Sequence, residues 1–211
     1  MGHMEKPFLI FDFDGTVADT KDLILDIGNI YASEIGVAPI SEEDVDTYYN
    51  EGARALMAKR NFSVIDVVRL LKRGSEIFAE RSGSVRLVPG IGEVIGEMAD
   101  GGVYIAVVTS NTEESVRKIM GDLSKSFIGI FPEKDLFGKA AKLKKVMKAF
   151  GADPKNVFYI GDEPRDMAAA VKAGVHPVGV TWGFGSKQSL ISAGAEAVIG
   201  SPEELKRVGS V

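Results

Sequence analysis

Apolar positions in this chain fall into two patterns. The first is a set of short unbroken runs: Phe8–Phe11 (FLIF), YIAVVTS from Tyr104, VFYIGD from Val157, PVGVTW from Pro177 and AVIG from Ala197. Runs without polar alternation predict strands buried on both faces, as in parallel sheets. The second pattern is helical spacing, which separates these runs from one another. Strands alternating with helices imply parallel βαβ units and an α/β class with helices on both faces of the sheet.

The stretch from 18 to 86 breaks this alternation. It shows no convincing strand and reads as helices over Thr20–Ile35, Glu42–Asn50, Ala53–Arg60 and Val64–Arg81, with Ser41 and Ser63 as N-caps. Asp44, three residues after Ser41, fits a reciprocal cap. Long loops without structure are rare, so residues 18–86 are expected to form a small helical domain. Residues 4–17 and 87–211 are expected to form the α/β core, and Pro89-Gly90 marks the return to it.

Composition narrows the function classes. The chain has 211 residues, 25 basic and 30 acidic, for a net charge of −5, and no Cys. Disulfides and thiol catalysis are excluded, and the composition fits a reducing cytoplasm. No Lys/Arg block suggests a nucleic-acid or membrane partner. No apolar run reaches the roughly 18 residues of a membrane span, and no secretory signal precedes the first strand. Met1–His3, ahead of Met4, read as a cloning remnant.

The candidate chemistry lies at strand ends, where ligands of open α/β sheets bind. Asp12 and Asp14 follow the first strand at i and i+2, so both leave it on one side. Two unit charges about 4 Å apart repel by roughly 4 kcal/mol at an effective dielectric near 20. A hard, oxygen-seeking ion such as Mg²⁺ relieves this. One carboxylate beside metal and phosphate can then act as a nucleophile while its neighbour moves protons. The competing reading is an Asp-Gly turn whose acids only cap the next segment of chain.

Thr109-Ser110-Asn111 ends the second run ahead of a helix beginning near Glu113. A hydroxyl and helix N-terminal N–H groups suit a phosphate, although Asn111 or Thr112 also suits a cap. Gly161-Asp162-Glu163-Pro164-Arg165-Asp166 ends the third. Pro164 fits the first helical position and Glu163 the cap. Asp162 then sits at the strand tip and Asp166 in the first turn, where both also complement the helix dipole. Acids gathered at one site require a divalent ion and a cationic side chain before a phosphate can enter. Of Lys139, Lys142, Lys144, Lys145 and Lys148, most read as a solvated helix face. Lys139 follows Phe137-Gly138 in a loop ahead of the helix, from which it reaches inward.

In this order the motifs resemble those of the haloacid dehalogenase (HAD) superfamily from Phe8 to about Leu205: Asp12-Phe13-Asp14-Gly15-Thr16, then Thr109, then Lys139, then Gly161–Asp166. Pro89-Gly90, Ala173-Gly174 and Thr181–Gly185 resemble its phosphoglycolate phosphatase-like branch. The resemblance implies a Rossmann-like core with a C1-type helical cap inserted after the first strand. It implies Asp12 as the nucleophile forming an aspartyl-phosphate and Asp14 as acid and base. Mg²⁺ is expected on Asp12, the Asp14 backbone carbonyl and Asp162, with Asp166 behind them. Thr109, Lys139, Gly15, Thr16, Ser110 and Asn111 are expected around the phosphoryl group. Many branch members carry Pro after the third-motif Lys; this chain has Ala140, which leaves Lys142 as an alternative to Lys139.

The expected substrate is a small phosphorylated metabolite, phosphoglycolate-like, handled by a monomer or homodimer. Arg54, in Gly52-Ala53-Arg54 between two helices, is a candidate for substrate selection as well as a candidate surface Arg. Competing functions are a sugar-phosphate mutase, a phosphonoacetaldehyde hydrolase with Lys59 as its cap lysine and, from another class, a phospho-accepting signalling or regulatory domain. His176 reads as structural; Trp182 reads as either a pocket border or core.

Overall fold

The computed structural model describes residues 6–133 and 138–209, without the side chain of Ala53. Met1–His3 and Phe137 lie outside the described residues. The strands are β1 (Phe8–Phe11), β2 (Ala18–Asp19), β3 (Arg86–Leu87), β4 (Tyr104–Thr109), β5 (Gly129–Pro132), β6 (Val157–Gly161), β7 (His176–Val180) and β8 (Ala197–Ile199). The helices are α1 (Lys21–Ile35), α2 (Glu42–Glu51), α3 (Ala53–Arg60), α4 (Val64–Arg81), α5 (Ile91–Asp100), α6 (Glu113–Met120), α7 (Lys139–Phe150), α8 (Pro164–Ala173) and α9 (Lys187–Ser192).

Six strands form one parallel sheet in the order β5-β4-β1-β6-β7-β8. β1 lies between β4 and β6, with Phe11 opposite both Val107 and Ile160. This register brings three strand tips side by side. All four residues of β1 are fully buried, which explains its unbroken apolar run. Leu9 and Phe11 face a core shared with Ile91, Val94 and Ile95 of α5. Phe8 and Ile10 face the opposite core, with Leu143 and Val146 of α7 and Ala170 of α8. Burying each such large apolar side chain stabilises the fold by about 1.5–3 kcal/mol, so β1 is a rigid base for the acids beyond its tip.

Helices α1–α4 lie between β2 and β3. Ser41 and Ser63 cap α2 and α4, each in a reciprocal box with the Asp three residues on (Asp44 and Asp66). Leu23, Ile27, Ile77 and Phe78 form a small cluster of their own between α1 and α4. The expectation of no strand from 18 to 86 needs correction. Ala18–Asp19 and Arg86–Leu87 pair antiparallel at the two ends of the helical segment. Two-residue strands are too short to show alternation. The edge strand β5, GIFP, escapes the pattern as well, being short and carrying both Gly129 and Pro132.

Candidate active site

The chain leaves β1 through a tight turn. The Asp12 N–H donates to the Ile160 carbonyl at 2.8 Å, and those of Val17 and Ala18 donate to the Phe13 carbonyl, each at 2.9 Å. Gly15 has φ +71°, a region costly for side-chain-bearing residues. A Cβ there would also lie 2.3 Å from Asp162 Oδ2. Thr16 is fully buried and donates its hydroxyl to Asp162 Oδ1 at 2.8 Å. The Asp-Gly-Thr sequence is therefore a clamp between the tips of β1 and β6.

Asp14 Oδ2 accepts from Asn111 Nδ2 at 2.7 Å, and its Oδ1 is buried without a partner among the described residues. Thr109, fully buried at the β4 tip, accepts the Asn111 N–H at 3.0 Å. Thr112, not Asn111, caps α6 by accepting the Ser115 N–H at 3.2 Å. Asn111 is thereby left to hold Asp14. Ser110 is exposed beside it.

At the β6 tip, Asp162 is fully buried; its Oδ2 accepts the Phe184 N–H at 2.8 Å. Glu163 is the N-cap of α8 and Pro164 follows at the helix start. The Glu163 N–H donates to Asp166 Oδ2 at 3.1 Å. Arg165 clasps the buried Glu163 carboxylate through Nε at 2.5 Å and a terminal nitrogen at 2.6 Å. Lys139 Nζ reaches Asp166 Oδ1 at 2.5 Å and Asp12 Oδ1 at 3.2 Å.

Lys139 begins α7 rather than sitting in the loop ahead of it. The first helical turn still points it inward, within the usual one- or two-residue uncertainty of helix ends. Lys142, the alternative, has its Nζ 3.8 Å from Glu133 Oε2. Arg54 is exposed on α3, and no contact among the described residues ties it to this cluster. His176 bonds Glu196 and the Lys155 carbonyl, in keeping with a structural role. Trp182 donates Nε1 to the Thr16 carbonyl at 3.0 Å and so braces the turn after β1.

The sequence reading missed the Glu163–Arg165 pair as part of the site. Its one signal was a second acid directly after Asp162, which the cap position explained equally well.

Five carboxylates converge here, from Asp12, Asp14, Asp162, Glu163 and Asp166, against two cations, Lys139 and Arg165. Burial, then the Asp12 charge, pushes the Asp14 carboxyl up to about 7. Burial and neighbouring acids likewise raise Asp12, Asp162 and Glu163. Burial works against the Lys139 ammonium, but Asp12 and Asp166 outweigh it and hold it well above its ordinary value. The excess negative charge calls for a cation. Asp12, Glu163 and Asp166 each present an oxygen within 4.8 Å of the others; the expected ligand Asp162 is not in that group, and its two oxygens accept from Thr16 and Phe184. An all-oxygen donor set fits a hard divalent ion.

A family model described as haloacid dehalogenase-like hydrolase matches residues 9–180. The chain belongs to the haloacid dehalogenase-like hydrolase family. A phosphoglycolate phosphatase of Synechococcus elongatus is 28% identical over 199 residues, covering 93% of this chain and 94% of its relative. Another, from Agrobacterium fabrum, is 30% identical over 193 residues, covering 85% and 82%. A crystal structure of a predicted phosphatase from Clostridium acetobutylicum has a TM-score of 0.83 at 22% identity, covering 98% and 99%; that likeness concerns the fold. This haloacid dehalogenase-like hydrolase is thus an enzyme of the phosphoglycolate phosphatase-like branch. No helix among its described residues is long and apolar enough to cross a membrane.

Proposed function

We propose that the enzyme hydrolyses a small phosphate monoester through a phosphoaspartate on Asp12, with Mg²⁺ as its cofactor. The observation that carries this reading is the meeting of Asp12, Asp14 and Lys139 at one strand tip, with Lys139 Nζ 3.2 Å from Asp12 Oδ1. The buried cation offsets the repulsion between the paired acids and an incoming phosphate, which suits attack on phosphorus.

Asp12 attacks the phosphorus; the new carboxylate–phosphorus bond forms as the bond to the leaving oxygen breaks. Asp14 gives that oxygen its proton. In the second half, Asp14 takes a proton from water as the water oxygen attacks phosphorus, releasing phosphate and restoring Asp12. Asn111 holds one Asp14 oxygen and leaves the other free for this proton traffic. Thr109, Lys139, and the N–H groups near Gly15 and Ser110 bind the phosphoryl oxygens, while Thr16 acts through its bond to Asp162. Mg²⁺ would be held by Asp12, the Asp14 carbonyl and Asp162, as the family resemblance implies, with the Glu163 and Asp166 carboxylates grouped beside Asp12, and would supply positive charge to the phosphoryl oxygens.

Residues 18–86 act as the cap that selects the leaving group. The names of the curated relatives support a phosphoglycolate-like substrate. The enzyme acts in the cytoplasm, which the lack of Cys supports, and has no nucleic-acid or membrane partner, which the lack of basic blocks supports; it acts as a monomer or homodimer. The test is phosphate release across phosphoglycolate, sugar phosphates, nucleotides and pyrophosphate, with Asp12→Asn as the control. Turnover is expected on a short anionic phosphomonoester and a loss of roughly 10⁴-fold or more in the variant. Wild-type turnover by Asp12→Asn would refute the covalent route.

A further inference from the structure

The end of α2 rests on the segment beyond β7. Asn50 Oδ1 accepts two hydrogen bonds there, from the Ser186 N–H and the Ser189 hydroxyl, both at 2.8 Å. Beside it, Tyr49 stacks on Phe184 with ring centroids 3.8 Å apart and planes 10° from parallel. Both rings are buried.

The other side of the same segment grips Asp162. The Phe184 N–H donates to its carboxylate and the Gly185 N–H to its carbonyl, both at 2.8 Å. A Cβ on Gly183 would stand 2.3 Å from Asp162 Oδ2, and one on Gly185 would stand 2.3 Å from the Asp162 carbonyl oxygen. The contact is therefore backbone against acid, with no side chain between to absorb a shift.

We propose that Asn50 and Tyr49 are positioning residues for Asp162. Docking of α2 on residues 182–189 holds the Phe184 N–H on the Asp162 carboxylate and thereby sets the affinity of the acid cluster for a divalent cation. This rests on the proposed role of Asp162 in holding that cation. Phe184 is the shared group, its ring against Tyr49 and its N–H on Asp162, while the Asn50 contacts to Ser186 and Ser189 reach Asp162 only through the 182–189 backbone. Such coupling is reciprocal: if docking tightens cation binding, cation binding tightens docking by the same factor.

Trp182, the sole tryptophan, lies in this segment and reports on it directly. The experiment is calorimetric titration of Mg²⁺ into the full chain, paired with acrylamide quenching of Trp182. Asn50→Ala is expected to raise the Mg²⁺ Kd about tenfold, within the range of measured site-to-site couplings. It should also increase quenching in the Mg²⁺-free protein. Ser189→Ala, which removes one of the two bonds, should raise the Kd less. Asn50→Asp, which keeps an acceptor oxygen, should stay within about twofold of wild type. Asp162→Asn should weaken binding most. If Asn50→Ala and Ser189→Ala both bind Mg²⁺ like wild type while Asp162→Asn does not, the relay is refuted and the role of Asp162 stands. If Asp162→Asn binds like wild type, both fall.

Discussion

Lys139 Nζ sits 3.2 Å from Asp12 Oδ1, so the buried cation of α7 bears on the acid at the tip of the central strand. Asp166 holds the same ammonium at 2.5 Å. Lys139 thus balances charge that the sheet alone leaves in excess.

Removing that ammonium is expected to disable the enzyme. Lys139→Met should lower kcat by roughly 10²–10³-fold, the usual cost of losing one preorganised stabilising group. Lys142→Met, whose side chain points to Glu133 instead, should stay within about twofold, as surface changes generally do. Steady-state kinetics on both variants checks the assignment of the third-motif lysine.

Metal removal gives a second expectation. Activity should vanish in excess chelator and return on adding Mg²⁺. A cation that binds only the folded state stabilises it by about 2.7 kcal/mol at one hundred times its Kd. The Tm should therefore rise with Mg²⁺ in wild type, and less in Asp162→Asn. Full activity under chelation would exclude a metal-dependent step.

Away from the site, Asp44 carries a pH dependence. Its side chain is 2% exposed, with Lys59 and Arg60 nitrogens each 3.2 Å away. Burial alone would raise its pKa, but the Ser41 bonds and the two cations outweigh it and lower it. The folded value lies below the unfolded one, so the stabilisation is complete above the unfolded carboxylate range. It is lost as the pH falls through the lower folded value. Asp44→Asn should cost about 1–3 kcal/mol near pH 7, as charged hydrogen bonds do. Urea melts should show the wild-type advantage shrinking in strong acid.

The parts of the fold that were legible in the sequence are those with long, regular patterns. Phe8–Phe11 and Tyr104–Val108 read as strands because burial on both faces leaves no polar gap. Val64–Arg81 read as a helix with Ser63 as its N-cap. The acids were legible because strand-tip carboxylates have a distinctive setting. Pairings that bring distant segments together were not legible. Nothing local in Asn50 indicates Ser186, 136 positions on, and Glu163 is an ordinary cap until Arg165 folds back on it. Arg54 stood out by its neighbours in sequence and is exposed on α3.

The two-residue ladder of β2 and β3 has a consequence for how such a chain diversifies. Ala18 pairs with Leu87 and Asp19 with Arg86, so the helical segment departs and returns through one narrow stem. Length and composition elsewhere in this segment can drift without shifting the register of any strand in the large sheet, whereas the end of α2, which rests on the loop beyond β7 through Tyr49 and Asn50, is tied to the core.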